Sequence, residues 1–252
     1  MKFYIIDSPR SHYGPKPGKN EIFVETEWNW YNPKYGDEEI CRCPCCGESI
    51  VHRFKLPPWH VELEMWSNGF ADIAFWASDM LFSERFVELF KSAGLTGLQL
   101  HGEVIVDKMI CRKGVRRKKL PPMPKYYYAT VTDGNTLVNH HLSHTVFEPD
   151  KEPTCNYCRS GMIEKIGPIV LDAENWDGSD IFGPRGICGM YCVSERFVRW
   201  FHENQINNGR IISFNDYSRD WSGEAISKMV ADIFAPENHP FEDLSGDPED
   251  NE

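Results

Sequence analysis

Apolar positions recur at helical spacing in two short stretches of the chain. Phe86, Val87 and Phe90 share one face of the run Ser83-Glu84-Arg85-Phe86-Val87-Glu88-Leu89-Phe90. Phe197, Val198 and Phe201 share one face of Ser194-Glu195-Arg196-Phe197-Val198-Arg199-Trp200-Phe201. Each run opens on a serine, whose hydroxyl can accept a bond from an orphan amide of the first turn. Glu84 and Glu195 follow at the positive end of the helix dipole. Gly94 and Gly209 are placed to stop the two helices. Other stretches follow strand patterns. The opening residues 1–7 read as a first strand, and Leu98, Leu100, Val104 and Val106 fall on one parity after Gly97. Ile211-Ile212-Ser213-Phe214 is a further strand. Segments 126–132 and 136–140 flank Asp133-Gly134, a dipeptide that signals a hairpin turn. A last helix is expected over about 223–234.

The two helical runs are nearly the same sequence, 111 residues apart. Cys43-x-x-Cys46 and Cys155-x-x-Cys158 are 112 apart, and Asp72-Ile73 precedes the first helix much as Asp180-Ile181 precedes the second. Three landmarks in one order at nearly one offset imply two copies of one unit, about 40–107 and 152–216. The expected fold is α+β. Two pseudo-symmetric units, each a cysteine knuckle, strands, a helix and a strand, surround a shared four-cysteine metal site. Residues 1–110 are expected to hold the first unit with its N-terminal strands. A basic, Pro-rich connector follows over 111–125, then the hairpin, second knuckle and second unit over 126–235, and an acidic disordered tail over 236–252.

Nine cysteines in a chain expected to stay in a reducing compartment argue for metal or buried thiols over disulfides. Two Cys-x-x-Cys pairs supply four thiolates, the set zinc takes at about 2.3 Å in tetrahedral sites. Gly47 lets the first turn curl so that its amides point at sulfur. Cys43, Cys46, Cys155 and Cys158 are therefore the expected ligands. Four sulfurs close the coordination sphere and leave no place for a reactive water, so the zinc would be structural. Cys41 and Cys45 lie near enough in sequence to be alternative ligands. Cys111, Cys188 and Cys192 are expected in cores.

Charge and composition narrow the function. The chain is 252 residues with a net charge of −11. Seven carboxylates and no Lys or Arg lie between Glu237 and Glu252, so the rest carries only −4. No stretch reaches the roughly 18 apolar residues that span a bilayer, and the N-terminus lacks the pattern of a signal peptide, so a cytoplasmic location is expected. No Gly-rich phosphate loop, nucleophile elbow or His-Glu-x-x-His motif is present. The acidic group Asp172, Glu174, Asp177 and Asp180 is expected in a turn, and His140-His141-Leu142-Ser143-His144 in a polar loop. The chain is not expected to be an enzyme. The basic run 112–119, followed by Tyr126, Tyr127 and Tyr128, offers an alternative: phosphate contact with bases stacked on the tyrosines.

With these motifs in place, the chain resembles the double-CxxCG motif immunity proteins of bacterial polymorphic toxin systems. The resemblance is carried by the Met1-Lys2-Phe3-Tyr4 opening, Cys43-x-x-Cys46-Gly47, Cys155-x-x-Cys158, Val170-Leu171-Asp172, Asp180-Ile181-Phe182 and the Ser194 segment. It covers about 1–216. The departures are an extra Cys45, Arg159-Ser160 before Gly161, and the tail beyond Ser222. The resemblance implies an antidote that binds a cognate secreted toxin, of nuclease type among others, and blocks it by stoichiometric inhibition. The alternative reading is a zinc-containing nucleic-acid-binding protein that uses 112–128.

Overall fold

The computed structural model describes residues 1–9, 22, 24–28, 38–76, 79–112, 115–116 and 120–227. Its strands in the first part of the chain are β1 (Phe3–Asp7), β2 (Val24–Trp28), β3 (Glu38–Arg42), β4 (Ser49–Lys55), β5 (His60–Met65), β6 (Ile73–Trp76) and β7 (Asp79–Ser83). Helix α1 (Glu84–Ser92) follows, then β8 (Leu98–Glu103), β9 (Ile105–Cys111), β10 (Tyr126–Val131), β11 (Asp133–Val138) and β12 (Val146–Phe147). Strands β13 (Ile163–Ile166), β14 (Leu171–Asp172), β15 (Ile181–Arg185) and β16 (Tyr191–Ser194) lead to α2 (Glu195–Glu203), β17 (Arg210–Ser213) and β18 (Arg219–Asp220). The chain is thus mixed helix and strand, with strands dominant. Residues 223–227 are helical; the rest of the expected last helix and the acidic tail lie outside the described residues.

Two sheets dominate. One has the order β8-β10-β7-β6-β2-β5-β9, the other β14-β11-β15-β16-β1-β17. The neighbours β5-β2-β6-β7-β10-β8 and β14-β11-β15-β16-β1-β17 carry the same succession of pairings: antiparallel, parallel, then three antiparallel. The N-terminal strand β1 sits in the sheet of the second helix, with Phe3 opposite Ser194. Strand β10 takes the corresponding place in the sheet of the first helix, with Tyr126 opposite Ser83.

The seven-stranded sheet curls until its edges meet. Its outermost strands, β8 and β9, are successive lengths of chain separated only by Val104. The Val104 amide bonds to the Tyr126 carbonyl at 2.9 Å, and the Ile105 amide to the Trp59 carbonyl at 2.7 Å. This bend splits the parity expected for 98–106. Leu98 and Leu100 pack on the core that holds the helices, whereas Val104 and Val106 pack inside the curled sheet with Val24, Val61, Leu63 and Met65.

Both helices lie in one apolar core between the main sheets. Alternating faces explain how one strand serves two cores: Ile6 of β1 joins the helix core, while Phe3 and Ile5 face a third core with Phe182 and Cys192. In α1 the buried residues are Phe86, Val87 and Phe90, as the spacing requires. In α2 they are Phe197, Trp200 and Phe201, and Val198 is only partly buried. Trp200 takes the inner place because α1 is its neighbour: its ring meets Phe86 edge-on at 5.3 Å and Phe90 at 5.9 Å. The serine caps form as expected, with Ser83 Oγ accepting from the Phe86 amide and Ser194 Oγ from the Phe197 amide, both at 3.1 Å. Gly94 (φ 63°) ends α1. After α2 the left-handed position falls to Gln205 (φ 50°), not to Gly209, which packs beneath the Phe201 ring.

Asp133-Gly134 does not make a hairpin turn. Strand β10 pairs with β7 and β8, and β11 with β14 and β15, so the chain crosses from one sheet to the other at Thr132. Gly134 is needed for contact: a Cβ there would lie 2.7 Å from Phe182 side-chain atoms. A second close approach joins the sheets at Gly97 (φ 103°), where a Cβ would fall 1.7 Å from the Ile181 carbonyl oxygen. Gly97→Ala is expected to destabilise the protein by about 2–3 kcal/mol, because the substituted residue meets both a forbidden φ and a backbone oxygen. Urea denaturation of the two proteins measures the difference.

Candidate metal centre

The first knuckle is the turn joining β3 to β4. The Gly47 amide bonds to the Cys43 carbonyl at 2.9 Å, and the Cys43 amide to the Glu48 carbonyl at 2.8 Å. Gly47 reaches this geometry at φ 75°. The second knuckle lies between β12 and β13. There the Arg159 amide bonds to the Cys155 carbonyl at 2.9 Å, with Arg159 at φ 48°. Arg159 therefore occupies the place of Gly47, four residues past the first cysteine, and the departure from the Cys-x-x-Cys-Gly pattern leaves the turn intact.

A non-glycine residue in this conformation costs about 1–2 kcal/mol. The side chain of Arg159 is anchored in return. Its guanidinium donates to Asp172 Oδ2 at 2.8 Å and to the Val138 carbonyl at 3.3 Å. Asn139 Nδ2 donates to the other Asp172 oxygen at 2.9 Å. Burial pushes the Asp172 carboxyl up, but the bonds from Asn139 and Arg159 and the Arg159 charge hold it below its usual value. His140 Nε2 lies 3.2 Å from the Arg159 carbonyl, Nδ1 lies 3.2 Å from Thr145 Oγ1, and the ring packs edge-on against Phe147. Burial lowers the pKa of this imidazole. Arg185 lies over the Tyr157 ring, 4.5 Å from its centroid, and braces the turn from the six-stranded sheet.

These two turns, distant in sequence, bring four sulfurs together. Cys43 Sγ is 3.9 Å from Cys155 Sγ, and Cys46 Sγ is 3.8 Å from Cys158 Sγ. All four sulfurs lie within 4.8 Å of one another. Tetrahedral zinc with bonds of about 2.3 Å holds its sulfurs about 3.8 Å apart, so the set fits such an ion. Cys43 and Cys158 are buried, Cys155 is half-buried and Cys46 is exposed. Protonation within the set is uneven. Burial opposes ionisation of Cys43, yet the amides of Cys46 and Cys45 and the neighbouring thiols hold it down to about 6. For Cys46 the Glu48 backbone bond favours ionisation, but burial and the bonds to Cys43, Cys155 and Cys158 outweigh it and push the thiol up to about 12. Cys155 is lowered as well, by the amides of Cys158 and Tyr157, and a cation at the centre favours the thiolate form of the set.

The remaining cysteines divide. Cys45 is exposed outside the set, its amide donating to Cys43 Sγ at 3.4 Å. The side chain of Cys41 lies outside the described residues. Cys192 is fully buried in the third core, and Cys111 packs against the curled sheet's core. Cys188, expected in a core, is exposed, because the glycines Gly186 (φ 99°) and Gly189 (φ 66°) lift it onto the turn between β15 and β16.

The other sequence candidates serve the scaffold. Tyr126 and Tyr128 are buried and hydrogen-bonded: Tyr126 Oη donates to the Ala71 carbonyl at 2.8 Å and Tyr128 Oη accepts from the Lys55 amide at 3.2 Å. Tyr127 is partly buried against the helix core. Arg112 pairs with Glu64 and lies over the Trp66 ring; most of the basic run beyond it is outside the described residues. Asp177 closes a turn by accepting from the Ser179 amide at 2.9 Å.

Asp72 and Asp180, visible in the sequence only as landmarks, are buried anchors. Asp180 Oδ1 accepts from Ser194 Oγ at 2.8 Å, and Oδ2 accepts from the Thr96 amide at 3.1 Å and from Arg196 at 3.2 Å. Asp72 Oδ1 accepts from Ser83 Oγ at 3.1 Å, and Oδ2 accepts from Arg85 at 2.6 Å and from the Asn207 amide at 3.1 Å. The signal was the Asp-Ile dipeptide standing 11 residues ahead of Ser83 and 14 ahead of Ser194.

Neither a family model nor a curated protein matches this sequence. Among the described residues no helix is long and apolar enough to cross a membrane.

Proposed function

We propose that this chain is an immunity protein that binds a cognate secreted toxin one to one, on a scaffold of two duplicated units clasped by a structural zinc at Cys43, Cys46, Cys155 and Cys158. The observation that carries the scaffold is the four-sulfur cluster, in which each knuckle supplies two sulfurs and two contacts under 4 Å join residues 112 apart. The common pairing order of the two main sheets supports the duplication. In this reading the units exchange their first strands, with β1 completing the second unit's sheet and β10 the first's. The motif resemblance supports the antidote role. A stoichiometric inhibitor needs a rigid surface and no chemistry of its own. A closed thiolate centre suits it, and a net charge of −11 would speed capture of a basic toxin. The test is co-expression with the product of the neighbouring gene. The expected result is rescue of growth and a 1:1 complex by analytical ultracentrifugation. If the neighbouring product is toxic and this chain neither rescues growth nor forms a complex with it, the proposal fails.

A further inference from the structure

Two short sulfur contacts in the centre join different knuckles, Cys43 to Cys155 and Cys46 to Cys158, and each joins a more accessible sulfur to a buried one. Cys46 is exposed and Cys158 buried; Cys155 is half-buried and Cys43 buried. We propose that the centre is an oxidant-exchangeable clasp: a peroxide converts the four sulfurs into two disulfides between the knuckles, Cys43–Cys155 and Cys46–Cys158. The turns then stay joined after the metal has left.

The exposed member of each pair reacts first. As the Cys46 sulfur attacks a peroxide oxygen the O–O bond breaks, the departing hydroxide takes the Cys46 thiol proton and leaves as water, and Cys46 becomes a sulfenic acid. The Cys158 thiolate then attacks that sulfur. The new S–S bond forms as the S–O bond breaks, and the departing hydroxide is protonated to water. Two electrons pass from the sulfur pair to the peroxide. Cys155 and Cys43 consume a second peroxide in the same way. Each pair must close from 3.8–3.9 Å to about 2.05 Å. Cys45, exposed beside Cys43, is the competitor the pairing must exclude.

The inference rests on the four-sulfur centre and is independent of the antidote role. Trypsin cleaves after Arg42, Arg53, Lys151 and Arg159, placing Cys43, Cys45 and Cys46 on one peptide and Cys155 and Cys158 on another. The full chain, as purified and after stripping with a chelator, is treated with hydrogen peroxide, alkylated and digested without reduction. The expected product is the two peptides joined, four hydrogens lighter than the reduced pair, with Cys45 alkylated. Released zinc, read with a chromophoric chelator, should equal the chain in the sample as purified. The stripped sample is the control: its knuckles are released, so its yield of the joined product should be lower. In the sample as purified, two separate peptides, each with its own internal disulfide, would overturn the proposal, as would a link through Cys45 or oxidation that stops at sulfinic acid. Cys45→Ser should keep the joined product in full. Cys158→Ser should lose the Cys46 link and leave Cys46 at the sulfinic stage.

Discussion

Stripping the metal with a strong chelator is expected to release the two knuckles while the three cores stay folded. The sulfurs join the β3–β4 turn to the segment between β12 and β13, and these turns supply almost nothing to the apolar clusters. Those clusters are built from the main sheets, both helices and the packing around Ile166 and Ile169. Hydrogen exchange resolves the two parts. The amides of Cys43, Gly47 and Arg159, held in knuckle bonds, should exchange much faster without metal, and those of Ser83 and Ser194 should keep their protection. Metal that binds only the folded chain adds about 4 kcal/mol of stability when present at a thousand times its dissociation constant. Cys46→Ser and Cys158→Ser should each lose most of that increment. Each sulfur must shed a proton to bind, so acidification is expected to release the metal. Equal exchange rates with and without metal would remove the clasp. Collapse of protection at Ser83 and Ser194 would show instead that the knuckles hold the cores together.

Local chemistry was legible in the sequence, and distant contact was not. The two capped helices follow from i to i+3 relations, and Ser83 and Ser194 cap as read. The Cys-x-x-Cys turns likewise declare themselves. That four cysteines meet required the repeat, because only a common offset links Cys43 to Cys155. Asp133-Gly134 carried hairpin chemistry but sits where Phe182 presses on the backbone, a contact invisible to neighbours in the chain. Trp200 displaced Val198 from the core because α1 lies against α2, which no helical wheel of α2 alone contains. The bend at Val104 closes a sheet whose edge partners come from Trp59 and Tyr126, far apart in sequence. Arg159 stood at the glycine place of the knuckle, but its anchor on Asp172 and Val138 depends on the fold.

Asp180→Ala is expected to cost about 3–5 kcal/mol, and Asp72→Ala a similar amount, because each carboxylate joins what one helix starts to what the other ends. Arg196, bound to Asp180, donates its other nitrogen to the carbonyls of Ala93 at 2.6 Å and Gly94 at 3.1 Å, at the C-terminus of α1. Arg85, bound to Asp72, donates to the Asn204 carbonyl at 2.5 Å, at the C-terminus of α2. Both guanidinium groups stand at the negative end of a helix dipole, where a cation is stabilising. The cost does not come mainly from the arginines. They are half exposed, so water takes over their charge when the carboxylate is removed. It comes mainly from the buried hydroxyls left without an acceptor, Ser194 Oγ beside Asp180 and Ser83 Oγ beside Asp72, with the part-buried amides of Thr96 and Asn207 adding to it. Arg196→Ala and Arg85→Ala should therefore each cost about 1 kcal/mol or less. Asp180→Asn, which keeps one acceptor and the shape, should fall between. At about 2–4 °C per kcal/mol for a chain of this size, Asp180→Ala lowers the melting temperature by roughly 10 °C. Calorimetry on the five single variants orders them. If Arg196→Ala costs as much as Asp180→Ala, the ion pair carries the junction and the buried-donor account is wrong.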